Sequence, residues 1–186
     1  DLRLRQAEMQ QDATKKEELG REAMGFYRRA AALDPVNDEL WYRLGYMAMG
    51  VLKSPDEALP FLLRSIECYA KSHTTYGLLG NLFFYQGTLA KDAGERMALL
   101  RRASTNYQQA SDLAGDSSTN SAGMKLRYNY DVALGKIGIS LRDLSQAVAA
   151  YQNALLVCPP AERWQIEETL ARLYADRKEK SNSVQH

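Results

Sequence analysis

The chain repeats itself, and the repeat restricts what it can fold into. Small residues stand at Ala23, Ala58, Ala103 and Ala147, with gaps of 35, 45 and 44 residues. Four residues further on come Tyr27, Leu62, Tyr107 and Tyr151, and three beyond those Ala30, Ser65, Ala110 and Ala154. All three columns share one set of gaps. Spacings of four and three put each trio on one face of a helix. A second set of columns precedes them, at Leu44-Gly45, Leu79-Gly80 and Leu134-Gly135. The cleanest unit is Asp131–Pro159, where Gly135 is followed by Ala147, Tyr151, Ala154 and then Pro159, which ends the pair. A single helix pair is too small to bury its own apolar face, so successive pairs must stack. Gly and Ala at fixed columns let helices approach closely, and the Tyr or Leu column fills the space between pairs.

Turn chemistry divides the chain into helices. Residues 4–17 carry few apolar positions (Leu4, Ala7, Met9, Ala13) and predict a first amphipathic helix. A stronger one over 18–33 stops at Asp34-Pro35, because proline disfavours helix in the residue before it. Asn37 or Asp38 caps the helix of Trp41, Leu44 and Ala48. Ser54-Pro55-Asp56-Glu57 is a capping box with proline at the first helical position, and Pro60 inside that helix bends it slightly. Tyr76, Leu79, Gly80 and Phe83 lie on the next helix, which ends near Gly87. Asp92 with Glu95 opens a long helix to about Ala114, with Gly115 as its C-terminal cap. The stretch GDSSTNSAG, 115–123, predicts a mobile loop. A helix from about 122 carries Leu134-Gly135, and Asp143 with Gln146 caps its partner. Trp164, Ile166, Leu170, Leu173 and Tyr174 predict the inner face of a last helix over 161–178, and 179–186 a disordered tail.

These columns resemble those of the tetratricopeptide repeat (TPR) family, over about 160 of the 186 residues. The resemblance implies an all-α fold, a right-handed α-solenoid of about four TPR helix pairs plus a C-terminal capping helix. One domain over 1–178 is expected, with units at about 4–37, 38–72, 73–115 and 122–161 and the capping helix at 161–178. The first unit departs from the pattern, with Gln10-Gln11 in place of Leu-Gly. The third is elongated: Gly80 to Ala103 is 23 residues where Gly135 to Ala147 is 12, so eleven extra residues are shared between its two helices. The join to the fourth unit is also long, at 115–123.

In that family the first helix of each pair lines a concave groove. Carried over by position, the groove residues are Glu39, Tyr42, Tyr46, Met49 and Gly50 in the second unit. They are Thr74, Gly77, Asn81, Phe84 and Tyr85 in the third, and Asn129, Val132, Lys136, Ile139 and Ser140 in the fourth. The repeat core does not require Tyr42, Tyr46, Phe84 or Tyr85, so these read as exposed aromatics. With Met49 they suit an apolar helix or an extended peptide, anchored by Asn81 and Lys136. The competing expectation is that Tyr42 and Tyr85 pack between neighbouring helices, or that the chain's own first or last helix fills the groove. Family members that grip chaperone tails hold a terminal carboxylate with Lys, Arg and Asn. Here Glu8, Asp12, Gly77 and Leu78 stand at the matching places, so no such clamp and no binding of acidic chaperone tails is expected.

Other chemistry is scarce. The net charge of +1, from 24 basic and 23 acidic residues, argues against a nucleic-acid partner. No apolar run approaches the roughly 18 residues of a membrane span, so no direct membrane insertion is expected. No phosphate-loop, zinc-protease or nucleophile-elbow motif is present. Gly135-Lys136-Ile137-Gly138 sits within a helical pattern, where its backbone amides are already used. His73 precedes a helix and reads as a capping or solvent-facing residue; Cys68 and Cys158 read as unbridged thiols in separate units. The reading is therefore no enzyme and no cofactor. It is a non-catalytic scaffold or adaptor that binds a protein or peptide partner in the groove. The alternatives are a small apolar ligand in a pocket of the elongated unit, lined by Phe83, Phe84, Tyr85 and Met97, or a homo-oligomer docking through the Trp164 helix. Unbridged thiols favour a reducing, cytoplasmic compartment. A chain that starts at Asp1 leaves room for a cropped leader to a bacterial envelope.

Overall fold

In the computed structural model the chain is all-α, built of successive helix pairs, with no strand among the described residues. The structure describes residues 13–117 and 121–183. Helix α1 spans Ala13–Leu33, α2 Asp38–Gly50, α3 Pro55–Cys68 and α4 His73–Leu89. Then come α5 Ala93–Ser117, α6 Ser121–Ser140 and α7 Leu144–Leu156. A 3-10 turn at Pro160–Glu162 leads into α8, Arg163–Ser183. The helix expected from residue 4 falls outside the described residues up to residue 12. Two compact units, Asp1–Leu82 and Phe83–His186, divide the chain within α4.

In the first unit α2 and α3 form a tight pair. Leu44, Gly45, Met47 and Ala48 of α2 are buried, as are Ala58, Leu62 and Ser65 of α3. A Cβ built at Gly45 would fall onto the Leu62 side chain, 2.6 Å from its Cγ, so glycine lets Leu62 pack directly on the α2 backbone. Ser65 is polar in an apolar column because its hydroxyl shares a 3.0 Å hydrogen bond with buried Thr75, which in turn pairs with Ser72 at 2.8 Å. That pairing satisfies the buried hydroxyls. Trp41 donates its indole N–H to the Pro35 carbonyl at 2.9 Å, tying the α1–α2 turn down. Phe61 stacks on Trp41 with centroids 6.4 Å apart and carries the Arg28 guanidinium 5.6 Å from its ring centre.

On α1 the repeat columns hold only in part. Ala23 is buried, but so are Met24 and Ala31, while Tyr27 and Ala30 are half-buried. Met24 and Ala31 are seven residues apart, two turns on one side of the helix, so the buried stripe is turned by one residue from the expected one. The partner of α1 in the first unit would lie in residues 1–12, outside the described chain.

Expected caps are met by varied means. The Ser54 hydroxyl donates to Glu57 at 3.2 Å instead of accepting from a backbone amide, and Asn37 donates to Asp34 at 3.0 Å. Asp92 accepts from the Glu95 amide at 2.7 Å, and Asp143 from the Gln146 amide at 2.9 Å, as the capping boxes predict. The turns before α3 and α7 share one device: Lys53 and Arg142 take the left-handed conformation, with φ of 55° and 58°. Beside them, the Ser54 amide reaches back to the Ala48 carbonyl and the Asp143 amide to the Gly138 carbonyl, each at 2.9 Å.

In the second unit Ala103, Tyr107 and Ala110 of α5 are buried, and so are Ala147, Tyr151 and Ala154 of α7. A Cβ on Gly135 would stand 2.5 Å from the Tyr151 ring, and one on Gly138 2.7 Å from the Ala147 backbone nitrogen. Gly45–Leu62 and Gly135–Tyr151 are the same contact in two repeats. The elongation is wholly helical. From Gly80, α4 runs nine residues to Leu89, where α6 runs five from Gly135 to Ser140. Helix α5 begins ten residues before Ala103, where α7 begins three before Ala147. The differences, four and seven, make up all eleven extra residues, and the connections 90–92 and 141–143 are equally long.

Three expectations change. Helix α5 continues to Ser117 and α6 starts at Ser121, so the predicted loop 115–123 shrinks to 118–120, which lie outside the described residues. Glycine in a helix costs only about 1 kcal/mol, and packing at buried Ala114 outweighs it. Helix α8 continues to Ser183, past the expected end at 178. Ile166, Leu170 and Leu173 of α8 do join Tyr128, Ala147, Val148, Tyr151 and Ala154 in one core. Trp164 does not: it is 61% exposed. Two residues from Ile166 is about 200° around a helix, so both cannot face that core.

Candidate binding faces

The groove residues of the first unit lie on α2 and the first half of α4. On α2 the buried Leu44, Met47 and Ala48 leave the opposite side to Glu39, Tyr42, Arg43 and Tyr46. Tyr42 and Tyr46, one turn apart, stack with centroids 6.3 Å apart. Arg43 pairs with Glu39 at 2.6 Å and lies 6.0 Å over the Tyr42 ring. Both tyrosines, expected as exposed aromatics, are half-buried, as is Met49, and burial pushes the Tyr42 hydroxyl pKa up. Asn81 of α4 is exposed.

In the second unit Phe84 is half-buried and Tyr85 is 46% exposed, on the later half of α4. Phe83 is buried, with the Arg102 guanidinium 3.9 Å from its ring centre, so its ring is covered from within the unit; Met97 is exposed. Helix α6 is nearly enclosed. Tyr128, Tyr130, Asp131, Leu134, Gly135, Ile137 and Gly138 are all buried. Ala122 and Met124 are exposed in the first turn, and along one side Lys125, Asn129, Lys136, Ile139 and Ser140 are exposed and Val132 is half-buried. At 100° per residue the six along that side fall within a strip about 100° wide, with Lys125 and Lys136 near its middle, Ile139 at one margin and Ser140 at the other. Position matching to the family supplied every member except Lys125, which precedes the unit and had no column to mark it.

The charge on this strip is uncompensated. Among the described residues neither Lys125 nor Lys136 forms an ion pair. Several acidic groups of the unit are engaged elsewhere. Asp112 accepts from Gln108 at 2.8 Å, Asp131 from Ser111 at 2.6 Å, and Glu167 pairs with Arg163 at 3.0 Å. Glu168 pairs with Arg172 at 2.5 Å.

Both cysteines are free and half-buried. The Cys68 thiol donates to the Pro35 carbonyl at 3.5 Å, and burial pushes the Cys158 thiol pKa up. His73 is the first residue of α4, and burial pushes its pKa down. Among the described residues no three His, Cys, Asp or Glu side chains are grouped to hold a metal ion. No helix there is long and apolar enough to cross a membrane.

No family model matches the chain, and no curated protein matches it. Among solved structures it is similar to the crystal structure of a thermophilic TPR protein from Thermus thermophilus. The two are 18% identical, and the match covers 93% of this chain and 97% of that one, with a TM-score of 0.47.

Proposed function

We propose that the protein is a non-catalytic, TPR-like interaction scaffold that binds a protein segment along the exposed sides of the first helices of its pairs. The observation that carries this reading is the exposed strip along α6. From Tyr128 to Gly138 the helix is buried on its other sides, and this strip presents Asn129, Lys136 and, at its end, Ile139. Polar anchors beside an apolar residue suit main-chain hydrogen bonds and one side-chain pocket. The Tyr42–Tyr46 stack on α2, with Met49, is the corresponding aromatic surface of the first unit. Tyrosine gives large contact area at low entropic cost, which favours such a role.

The test is a random peptide library displayed on phage and selected on the full chain. Enriched peptides should bind the wild type and bind Tyr46→Ala/Phe84→Ala or Asn129→Ala/Lys136→Ala about tenfold or more weakly, the scale of a hot-spot loss. Equal binding by wild type and both variants, or no enrichment at all, overturns the proposal.

A further inference from the structure

We propose that the exposed strip of α6 takes an acidic, extended segment whose carboxylates stand about four or six residues apart, on one face of the segment. The inference rests on the scaffold reading and adds the chemistry of the partner. Lys125 and Lys136 are the cations of the strip, eleven residues apart on one side of α6. Eleven residues of helix span about 16 Å. An extended chain covers that distance in about five residues at about 3.3 Å each. Side chains alternate faces along an extended chain, so carboxylates at i and i+4 or i and i+6, about 13 and 20 Å apart, lie on one face and bracket the spacing of the two long, flexible lysines. Asn129 lies between the two lysines, where its carboxamide can donate to and accept from the main chain of the bound segment.

Charge complementarity decides for an acidic partner. No carboxylate of the described chain neutralises Lys125 or Lys136, while Asp112, Asp131, Glu167 and Glu168 are each held by another group. The strip itself carries no acidic side chain. It also carries no aromatic ring, so it lacks the stacking platform that single-stranded nucleic acid uses. Exposed ion pairs are individually weak, so the two lysines must act together, and binding must weaken with salt. The segment lies along the helix and is recognised through its interior, so the missing carboxylate clamp for a chain terminus is no obstacle.

Peptides enriched from the random library test this directly, with affinities measured by fluorescence anisotropy at low and high salt. Enriched sequences should carry Asp or Glu at i and i+4 or at i and i+6. Lys125→Glu/Lys136→Glu should weaken them about tenfold or more, and Lys125→Gln/Lys136→Gln by less. Lys71→Glu, an exposed lysine of the first unit, should leave them unchanged. All three positions are on the surface, and circular dichroism checks that the variants are folded. Enriched peptides that lack the acidic pair yet are lost with Tyr46→Ala/Phe84→Ala overturn this inference and leave the scaffold reading standing. No enrichment overturns both. A mixed-sequence single-stranded RNA that binds as tightly and is lost on charge reversal assigns the strip to nucleic acid and overturns the inference.

Discussion

Ser111 donates its hydroxyl to Asp131 Oδ1 at 2.6 Å, from α5 to α6, and Asp131 is 1% exposed. Asp131 stands three residues before Leu134, the place that Trp41 holds before Leu44 and Tyr76 before Leu79. A carboxylate thus fills a position that elsewhere takes a large ring. Its second oxygen has no hydrogen bond; the nearest cation is Arg127, whose Nε is 3.8 Å away. Burial pushes the Asp131 pKa up, against the opposing pull of the Ser111 bond and Arg127.

The sign of the pH dependence follows. A carboxyl with a raised folded-state pKa binds protons more readily folded than unfolded, so its contribution to stability is greatest below the ordinary aspartate value near 3.9 and is lost as pH rises through the raised value. Asp131→Asn keeps a partner for Ser111 and removes the buried charge. It should stabilise the protein at neutral pH by about 1 kcal/mol, and the gain should vanish toward about pH 4. Urea unfolding of wild type and variant across that range measures the difference. A variant less stable than wild type at neutral pH would show that the Arg127 pairing outweighs desolvation.

The glycine columns give a graded prediction. At Gly138 a new Cβ meets backbone, 2.7 Å from the Ala147 nitrogen, and neither helix can yield without moving. At Gly45 it meets the Leu62 side chain, 2.6 Å from its Cγ, while the nearest neighbouring backbone atom, the Ala58 carbonyl oxygen, is at an ordinary 3.5 Å. Gly138→Ala should cost about 2–3 kcal/mol, and Gly45→Ala about 1 kcal/mol, because better helix propensity offsets part of the clash. Chemical denaturation of both variants checks the order. Equal costs would mean that the α6–α7 backbones separate as easily as a leucine turns.

These contacts explain what could be read in advance. Column positions encode close approach directly, so Gly45, Gly135, Ala58 and Ala147 were legible from spacing alone. The elongated pair was legible too, because eleven residues must go somewhere and helix-forming residues fill them. Asp131 was not, since nothing in one chain marks a carboxylate for burial. Nor was the turned stripe of α1, where Ala30 and Ala31 are equally small and packing chooses between them. Trp164 misled because a large ring beside Ile166 and Leu170 reads as core until its angle is counted. Lys125 escaped because it lies outside the repeat columns.

Trp164 supplies the next prediction. Ile166, Leu170 and Leu173 hold α8 to the α6–α7 core, and the tryptophan takes no part. Trp164→Ala should change stability by less than about 0.5 kcal/mol, whereas Leu170→Ala should cost about 2–4 kcal/mol. Thermal and denaturant unfolding of both variants compare them. A large cost at Trp164 would return it to the core.

The elongated pair can be cut back to the length of its neighbour. Its extra turns carry exposed Leu89 and Met97 and are closed at the tip by Asp92, capping Glu95, and by Arg96, whose Nη2 donates to the Ala90 carbonyl at 2.9 Å. Inward of that tip, Gly87 lies against Leu100 at ordinary contact distance. Deleting residues 86–89 and 93–99 removes four and seven residues and leaves the 90–92 connection intact. Asp92 would then precede Leu100-Arg101-Arg102-Ala103 as Asp143 precedes Leu144-Ser145-Gln146-Ala147, ready to cap the Arg102 amide. The shortened chain should fold, with helical circular dichroism and one cooperative transition. It should lose no more than about 2 kcal/mol, chiefly the apolar contact around Leu100. A shortened chain that fails to fold would show that the extra turns hold the second unit together instead of extending from an already complete repeat.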